Sequence, residues 1–164
     1  MKIEKRIIIM SDSHGQFGPL QKIMEMQPDA SMYIHLGDSE GGVSMLRKKY
    51  PEKEFFCLRG NCDHDPDLPD SLVIPVDSGH RIFAAHGHKH AVGFSRDMIL
   101  EEAEANNCNI VLFGHTHERL CSYDNGVYVI NPGSCSCPRD GLAPSFAFID
   151  VIGKDLFVNT VSLK

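Results

Sequence analysis

Hydrophobic residues in the first sixty positions form short runs that alternate with segments of helical periodicity. The runs KRIIIM, SMYIHL and EFFCL predict three strands, since about four to eight apolar residues bounded by polar ones are typical of buried strands. Between them, PLQKIMEM and GVSMLRKKY have the spacing of amphipathic helices, and Pro19 is expected to open the first. This βαβαβ order favours a parallel sheet.

The rest of the chain predicts mainly antiparallel strands. LVIPVDSGHRIFAAHG has the pattern of two strands around an Asp-Ser-Gly turn, and CNIVLF predicts one more strand. The tail adds two hairpins, one around Asn125-Gly126 and one around Gly153. SRDMILEEAEANN predicts the clearest helix, with Ser95 as its N-cap. We therefore expect an α/β fold of two packed sheets flanked by helices, without a second domain.

Composition and charge exclude several classes of protein. The 164 residues are 42% hydrophobic and 23% charged, which suffices for a sizeable core. A formal net charge of -6 argues against nonspecific binding of a nucleic-acid backbone or an acidic membrane. No segment has the roughly 20 apolar residues of a membrane helix, and the apolar stretch in MKIEKRIIIM is too short for a signal peptide. We expect a cytoplasmic protein whose six cysteines are mostly reduced and packed.

Side chains that can bind metals follow five of the predicted strands. They are Asp12 and His14 in SDSHG, Asp38 in GDSEGG, Asn61 in RGNCD, His86 and His88 in AHGHKH, and His115 and His117 in FGHTH. Because ligands of open α/β sheets bind outside the carboxyl ends of the strands, these side chains should converge. Each motif alone has a plain alternative, such as a solvated turn for Asp38, but five together predict a site. A carboxylate can bridge two cations about 3.5–4 Å apart, as two-metal hydrolysis requires.

The same motifs, in this order, resemble the calcineurin-like metallophosphoesterases, whose pattern is D-x-H, G-D, G-N-[H/C]-[D/E], H-G-H and G-H-x-H. INPGSCSCPRD, residues 130–140, resembles a segment of the small bacterial and archaeal phosphodiesterase branch of that family. The resemblance covers most of the chain. It implies one metallophosphoesterase domain over residues 1–164, built as a four-layer α-β-β-α sandwich of two mixed parallel and antiparallel sheets.

The resemblance also implies an activity and a cofactor. The expected activity is hydrolysis of a phosphodiester by in-line attack of a metal-bound hydroxide at a dinuclear centre. The two divalent ions would be Mn²⁺ foremost, with Ni²⁺, Fe²⁺, Zn²⁺ or Co²⁺ as alternatives, since these donors accept several ions. By resemblance, the first metal is assigned to Asp12, His14 and His117, the second to Asn61, His86 and His115, and the bridge to Asp38.

Three further residues are candidates for catalysis. Cys62 stands where many members of the family have a histidine thought to protonate the leaving group. A thiol with an unperturbed pKa of about 8.5 is a weaker acid, which favours diesters and activated leaving groups over alkyl monoesters. The alternatives are that Cys62 only packs, or that His64 is the acid. His88 is a candidate contact to the substrate phosphate, and Arg139 is either a bidentate phosphate donor or half of a surface salt bridge.

Other functions remain open from the sequence. The small retromer subunit resembles this branch and is an interaction scaffold, but it has lost donors at several strand ends, whereas all seven positions carry Asp, Asn or His here. A phosphomonoesterase is a second alternative. A nuclease acting on long nucleic acid is less favoured, because a basic groove composition is missing. The expected partner is a small phosphodiester substrate, and a dimer or tetramer of the chain is possible by analogy.

Overall fold

The computed structural model of the protein describes residues 1–163, in which two five-stranded sheets pack face to face. The first sheet has the spatial order β10 (Asp155–Ser162), β9 (Ser145–Ile152), β1 (Lys5–Met10), β2 (Met32–His35) and β3 (Phe55–Cys57). The second has the order β4 (Ser71–Pro75), β5 (Arg81–Ala85), β6 (Ile110–Leu112), β8 (Val127–Pro132) and β7 (Arg119–Asp124). The helices are α1 (Phe17–Met26), α2 (Gly42–Lys49) and α3 (Asp97–Ala105), and a short 3-10 turn spans His88–His90.

The side chains of β1, which alternate between the two faces of the first sheet, show how the layers are built. Ile7 and Ile9 point into the core between the two sheets, because successive side chains of a strand face opposite sides. Ile8 lies on the other face, where it packs with residues of α1 and α2, including Leu20 and Leu46. Helix α3 covers the outer face of the second sheet through a separate apolar cluster. The predicted four-layer α-β-β-α architecture is confirmed.

The second sheet is mixed, as the resemblance implies, and contains more parallel pairing than the mainly antiparallel pattern of the later strands predicts. Strands β5, β6 and β8 are parallel to one another, while β4 and β7 are antiparallel at the two edges. Turn residues predict that β7 and β8 form a hairpin, but they do not determine which of the two strands inserts against β6. In the first sheet β1, β2 and β3 are also parallel. Both sheets therefore have parallel strands whose carboxyl ends can supply loops to one edge.

Both predicted tail hairpins are present. The turn between β7 and β8 has Asn125 and Gly126 at φ values of 50° and 78°, the pair of left-handed residues that a type I′ turn needs. Gly153, at φ 60°, lies in the turn between β9 and β10. The Asn-Gly signal is reliable because few other residue pairs adopt two positive φ angles without strain.

Two helix starts differ slightly from the sequence expectation. Helix α1 begins at Phe17, so Pro19 lies within the first turn, where the N–H that it lacks has no partner in the helix. Arg96, not Ser95, is the N-cap of α3, although the Ser95 hydroxyl accepts a hydrogen bond from the Asp97 N–H at 3.1 Å. Within residues 1–163 the longest helix has ten residues, and none is long and apolar enough to cross a membrane.

Candidate metal centre

The loops after β1, β2, β3, β5 and β6 bring the seven predicted donors together at one edge of the sheets. The first group contains Asp12, His14 and His117. The Nε2 atoms of the two histidines lie 3.2 Å apart, and Asp12 Oδ1 lies 3.3 Å from His117 Nε2. The other oxygen of Asp12 accepts hydrogen bonds from the Ser11 hydroxyl at 2.5 Å and from the His115 N–H at 3.0 Å. Oδ1 is buried without a hydrogen-bond partner among residues 1–163.

The second group contains Asn61, His86 and His115. Asn61 Oδ1 is 3.1 Å from His86 Nε2 and 3.1 Å from His115 Nδ1. Asp38 lies between the two groups, since its Oδ2 is 3.3 Å from His86 Nε2 and 3.8 Å from His14 Nε2. This is the position that a bridging carboxylate would occupy.

The hydrogen bonds of His86 and His117 to main-chain carbonyls determine which ring nitrogen carries the proton. His86 Nδ1 donates to the carbonyl of Leu36 at 2.8 Å, and His117 Nδ1 donates to the carbonyl of Cys137 at 2.7 Å. A carbonyl can only accept, so in the neutral rings Nε2 carries a lone pair that faces the centre. Metal-binding histidines usually have such a partner on the second ring nitrogen.

The donor set fits divalent metal ions. Metal–ligand bonds of about 2.0–2.2 Å place neighbouring donors about 3.0–3.5 Å apart. The closest donor pairs of the two groups lie at 3.1–3.3 Å, as that geometry requires. Facing lone pairs and an unpartnered carboxylate oxygen repel one another unless positive charge lies between them. Oxygen and imidazole donors suit Mn²⁺, Fe²⁺, Co²⁺, Ni²⁺ or Zn²⁺.

The electrostatics of the carboxylates and histidines in the cluster favour the binding of cations. Burial raises the pKa of Asp38. The contact with His86 and the hydrogen bond from the Cys62 N–H outweigh this effect, so that the pKa of Asp38 lies below the ordinary value of an aspartate. Contact with Asp12 raises the pKa of His117. For His86, burial lowers the pKa, but Asp38 and Asp12 raise it above its ordinary value. The carboxylates are therefore ionised at neutral pH and attract positive charge.

Most of the donor loops contain residues in the left-handed region of φ. Six residues of the site other than glycine do so: Asp12 (56°), His14 (48°), Asp38 (57°), Glu40 (49°), His115 (68°) and His117 (57°). Such conformations cost about 1–3 kcal/mol each and persist only where the surroundings impose them. They turn the chain back immediately after a strand, which aims successive side chains at one point.

Two glycines of the motifs are required for close approach. A Cβ on Gly60 would lie 2.0 Å from Asp38 Oδ1, and one on Gly114 would lie 2.1 Å from the Ser11 hydroxyl and 2.7 Å from Asp12 Oδ2. Neither residue has a positive φ. These glycines therefore provide clearance for the carboxylates rather than a special backbone conformation.

Asp63 holds the loops after β2 and β3 together. Its buried carboxylate accepts three main-chain hydrogen bonds, with Oδ2 2.7 Å from the N atoms of both Asp38 and Gly60 and Oδ1 2.9 Å from that of Glu40. The Cys62 N–H then donates to Asp38 Oδ1 at 2.8 Å. The fourth residue of GNCD is thus a clamp that sets the orientation of the Asp38 carboxylate.

The INPGSCSCPRD segment supports the other side of the centre. The hydroxyls of Ser134 and Ser136 both donate to the carbonyl of Asp12, at 2.8 and 2.9 Å. Asn131 Nδ2 donates to the carbonyl of Gly114 at 3.2 Å and to Thr116 Oγ1 at 2.9 Å. The segment therefore fixes the loops that carry Asp12, His115 and His117.

The remaining candidates border this cluster. Cys62 Sγ lies within 4.8 Å of a donor atom of both His14 and Asp38. Burial raises the pKa of Cys62, and Asp38 and Glu40 raise it further, so the thiol keeps its proton at neutral pH. The His88 ring centroid is 5.3 Å from that of His86, and His88 Nδ1 is buried without a partner among residues 1–163.

Arg139 and His64 lie farther out. The Arg139 N–H donates to the carbonyl of His117 at 2.9 Å, which places the residue at the rim, and its side chain is exposed. Within residues 1–163 the Arg139 guanidinium forms no ion pair, in contrast to the salt-bridge alternative. His64 is exposed, as the loop alternative predicts.

Sequence reasoning missed Glu40. Its Oε2 accepts a hydrogen bond from His14 Nδ1 at 3.0 Å, which turns His14 Nε2 toward the centre. The residue lies two positions after Asp38, and an acidic side chain beside a ligand motif is the one signal that could have indicated it. Asp63 and the carbonyl of Cys137 were missed as well, because a clamp and a main-chain acceptor have no distinctive pattern.

Comparison with known proteins identifies the family. Residues 6–154 match the model of the calcineurin-like phosphoesterase superfamily domain. The chain belongs to this superfamily. It is 32% identical over 145 residues to the "Probable metallophosphoesterase YsnB" of Bacillus subtilis, covering 87% of this chain and 82% of that protein. As a member of the superfamily, the protein is a metal-dependent phosphoesterase.

Two further relatives agree. "Phosphodiesterase YfcE" of Escherichia coli K12 is 28% identical over 169 residues, covering 88% of this chain and 87% of that protein. The crystal structure of a conserved uncharacterized protein from Streptococcus pneumoniae, described as a predicted phosphoesterase, superposes with a TM-score of 0.84 at 26% identity. That match covers 96% of this chain and 89% of the other, so the two proteins share most of their fold.

Gly60→Ala should inactivate the phosphoesterase, because the new methyl group would displace the carboxylate and main chain of Asp38. We expect activity on a model ester to fall more than about 100-fold, as small misplacements of reacting groups can cause. Gly18→Ala is the matched control, since that position in α1 has open space around it. It should keep full activity and gain up to about 1 kcal/mol of stability. Normal activity of Gly60→Ala would contradict the clearance role.

Glu40→Ala should weaken metal binding, since His14 would lose the partner that orients it. We expect the affinity for Mn²⁺, measured by isothermal titration, to fall about 10- to 100-fold. Glu40→Gln keeps an acceptor without the charge and should give an intermediate loss. Glu101→Gln, at an exposed position of α3, serves as the control. Equal affinities of all three variants would show that Glu40 does not position His14.

Proposed function

We propose that this phosphoesterase is a phosphodiesterase for small diesters, with a dinuclear metal centre. The observation that carries the proposal is the position of Asp38 Oδ2, 3.3 Å from His86 Nε2 of one donor group and 3.8 Å from His14 Nε2 of the other. A single ion would leave one of the two groups unpaired. The diester substrate is supported by the relative YfcE, which is named a phosphodiesterase.

Each residue of the centre has a role in this proposal. Asp12, His14 and His117 would hold one ion and Asn61, His86 and His115 the other, and Asp38, which lies between the two groups, would bridge them. When bound there, two such ions would supply a hydroxide near neutral pH and neutralise charge on the phosphate. The Leu36 and Cys137 carbonyls keep Nδ1 of His86 and His117 protonated, so that Nε2 stays available as a donor. The Asp63 carboxylate, which accepts from the Asp38 N–H, keeps Asp38 in this position.

The surroundings of the donors suit small ester groups. A recess of about 230 Å³ lies beside His86 and is lined by His88 and Lys89. A second recess of about 250 Å³ borders the centre at Glu40 and Cys62. Both are smaller than the usual pocket for a drug-sized ligand, roughly 300–1,000 Å³. The His88 ring borders the first recess, and the exposed Arg139 guanidinium can reach a phosphate at the rim.

Metal add-back tests the proposal. Metal-stripped protein should hydrolyse bis-p-nitrophenyl phosphate, a diester, when Mn²⁺, Ni²⁺ or Zn²⁺ is restored, and p-nitrophenyl phosphate, a monoester, much less. Asp38→Asn should lower diester turnover more than about 100-fold. Replacing a residue that only hydrogen-bonds to a metal ligand typically costs about 10- to 100-fold. Asp29→Asn, at an exposed position, is the control. Binding of two ions without turnover on either ester would instead favour an interaction scaffold, and binding of a single ion would contradict the dinuclear centre.

Cys62→His should raise turnover of the monoester, because an imidazolium protonates a leaving group more readily than a thiol does near pH 7. General acid catalysis typically contributes about 100- to 10,000-fold to a rate. We therefore expect a gain of about tenfold or more in monoester turnover. The measurement is the ratio of monoester to diester turnover. Cys121→His, at an exposed position of strand β7, controls for an added histidine. An unchanged ratio would show that the acid at this position does not limit the reaction.

A further inference from the structure

A buried histidine precedes the loop that carries Asp38. His35 is the last residue of β2, and its side chain is 1% exposed. It pairs in register with Met10 of β1 and Cys57 of β3, and both of these neighbours belong to the apolar cluster under α1 and α2. An imidazole in such surroundings is costly unless its ring nitrogens are hydrogen-bonded.

Both ring nitrogens of His35 are bonded, and they reach two different loops. Nδ1 accepts a hydrogen bond from the Gly37 N–H at 3.2 Å, and Nε2 lies 2.9 Å from the hydroxyl oxygen of Ser13, which is fully buried. A main-chain N–H can only donate, so Nδ1 carries a lone pair and the proton of the neutral ring is on Nε2. The Nε2–H group therefore donates to Ser13.

The surroundings of His35 keep the ring in this neutral form. The pKa of His35 is lowered to about 4, because burial disfavours the charged ring more than the three nearby carboxylates favour it. Those carboxylates belong to Asp12, Asp63 and Asp38, and His86 also lowers the pKa. A protonated ring would in addition place an N–H group against that of Gly37. The direction of both hydrogen bonds is therefore fixed near neutral pH.

The two hydrogen bonds of the imidazole end on residues that adjoin metal donors. Ser13 stands between Asp12 and His14 of the first donor group, and Gly37 directly precedes Asp38. The main chains of the same loops are also bonded to each other. The Asp12 N–H donates to the Gly37 carbonyl at 3.0 Å, and the His14 N–H donates to the Asp38 carbonyl at 2.9 Å. The buried ring thus adds a side-chain link between the two loops.

We infer that His35 is a positioning residue that fixes the loop of Asp38 against the loop of Asp12, and thereby sets the spacing of the two metal positions; this inference rests on the proposed dinuclear centre. It acts through Ser13 and Gly37, which are not donors themselves. An apolar residue at position 35 would leave both of these polar groups without their partner. The two loops could then shift relative to each other, and one carboxylate would no longer reach both ions equally well.

Substitutions can separate the two hydrogen bonds of His35. Asparagine at this position keeps an oxygen near Nδ1 for Gly37 but is too short to reach Ser13, and Ser13→Ala removes the other partner of that same bond. His35→Phe removes both bonds and keeps a ring. Tyr33→Phe is the matched control, because it removes one hydrogen bond, to the Gln27 carbonyl, from the same face of the same strand.

Binding of Mn²⁺ to the metal-stripped, full-length protein tests the inference without an activity assay. Isothermal titration gives the affinities of the two ions, and electron paramagnetic resonance shows whether they are magnetically coupled through a shared bridge. Replacing a partner of a metal ligand typically costs about 10- to 100-fold in affinity. His35→Phe should therefore lower the affinity for the weaker-bound ion at least about tenfold. It should also reduce the coupled signal, while Tyr33→Phe should change neither property.

The pair Ser13→Ala and His35→Asn distinguishes positioning from packing. Each should lower the affinity for the weaker-bound ion about threefold, roughly half of the expected His35→Phe effect on a logarithmic scale. The double variant should lose no more than the larger single loss, because both changes remove the same hydrogen bond. A role in packing alone would lower the stability of the metal-free protein to urea and leave the Mn²⁺ affinity and the coupled signal unchanged.

Each other outcome has a definite meaning. Normal Mn²⁺ affinity and coupling in folded His35→Phe, or additive losses in the double variant, would overturn the positioning role. If His35→Phe does not fold, the milder pair with Ser13→Ala decides by the same criteria. Binding of a single Mn²⁺ by the unmodified protein would instead overturn the proposed dinuclear centre. Two coupled ions in the unmodified protein and in every variant would overturn only the role of His35.

Discussion

The interaction on which the site depends is the bond of one buried carboxylate to three peptide groups. Asp63 accepts from the N–H groups of Asp38, Glu40 and Gly60, and thereby joins the loops that follow β2 and β3. Without it, the buried N–H groups of Asp38 and Gly60 would be unpaired, at about 1–3 kcal/mol each. With it, the N–H of Cys62 reaches Asp38 Oδ1, and Oδ2 is left facing both histidine groups. A structural carboxylate thus determines where the proposed bridging carboxylate lies.

The candidate metal centre is energetically strained in the folded chain. Left-handed residues, facing imidazole lone pairs and the unpartnered oxygen of Asp12 all raise the energy of the folded chain. The surrounding sandwich offsets these costs, because the core between the sheets and the clusters under the helices are continuous and apolar. A cation bound among the donors would remove the repulsion, so metal binding and folding stability should be coupled. Strain of this kind is typical of a site prepared for a ligand.

The fold explains where the site is, and its side chains explain what it does. Parallel strands in both sheets send their carboxyl ends to one edge, and this creates a place where five loops meet. A shared fold does not by itself specify an activity. In this chain the proposed activity rests on the Asp, Asn and His side chains on those loops, and Cys62 at the rim is the feature through which substrate preference would vary.

The sequence by itself determined the strands and the tail hairpins and indicated the seven candidate donors, since these depend on signals within a few residues: alternation in KRIIIM, the Asn125-Gly126 pair, and polar residues after each apolar run. Only the tertiary structure decided that β8 pairs with β6, that Glu40 accepts from His14, that Asp63 clamps two loops, and that the His35 ring bonds to Ser13. Those contacts join residues far apart in the chain. Sheet order and register bring them together, and no local pattern encodes either.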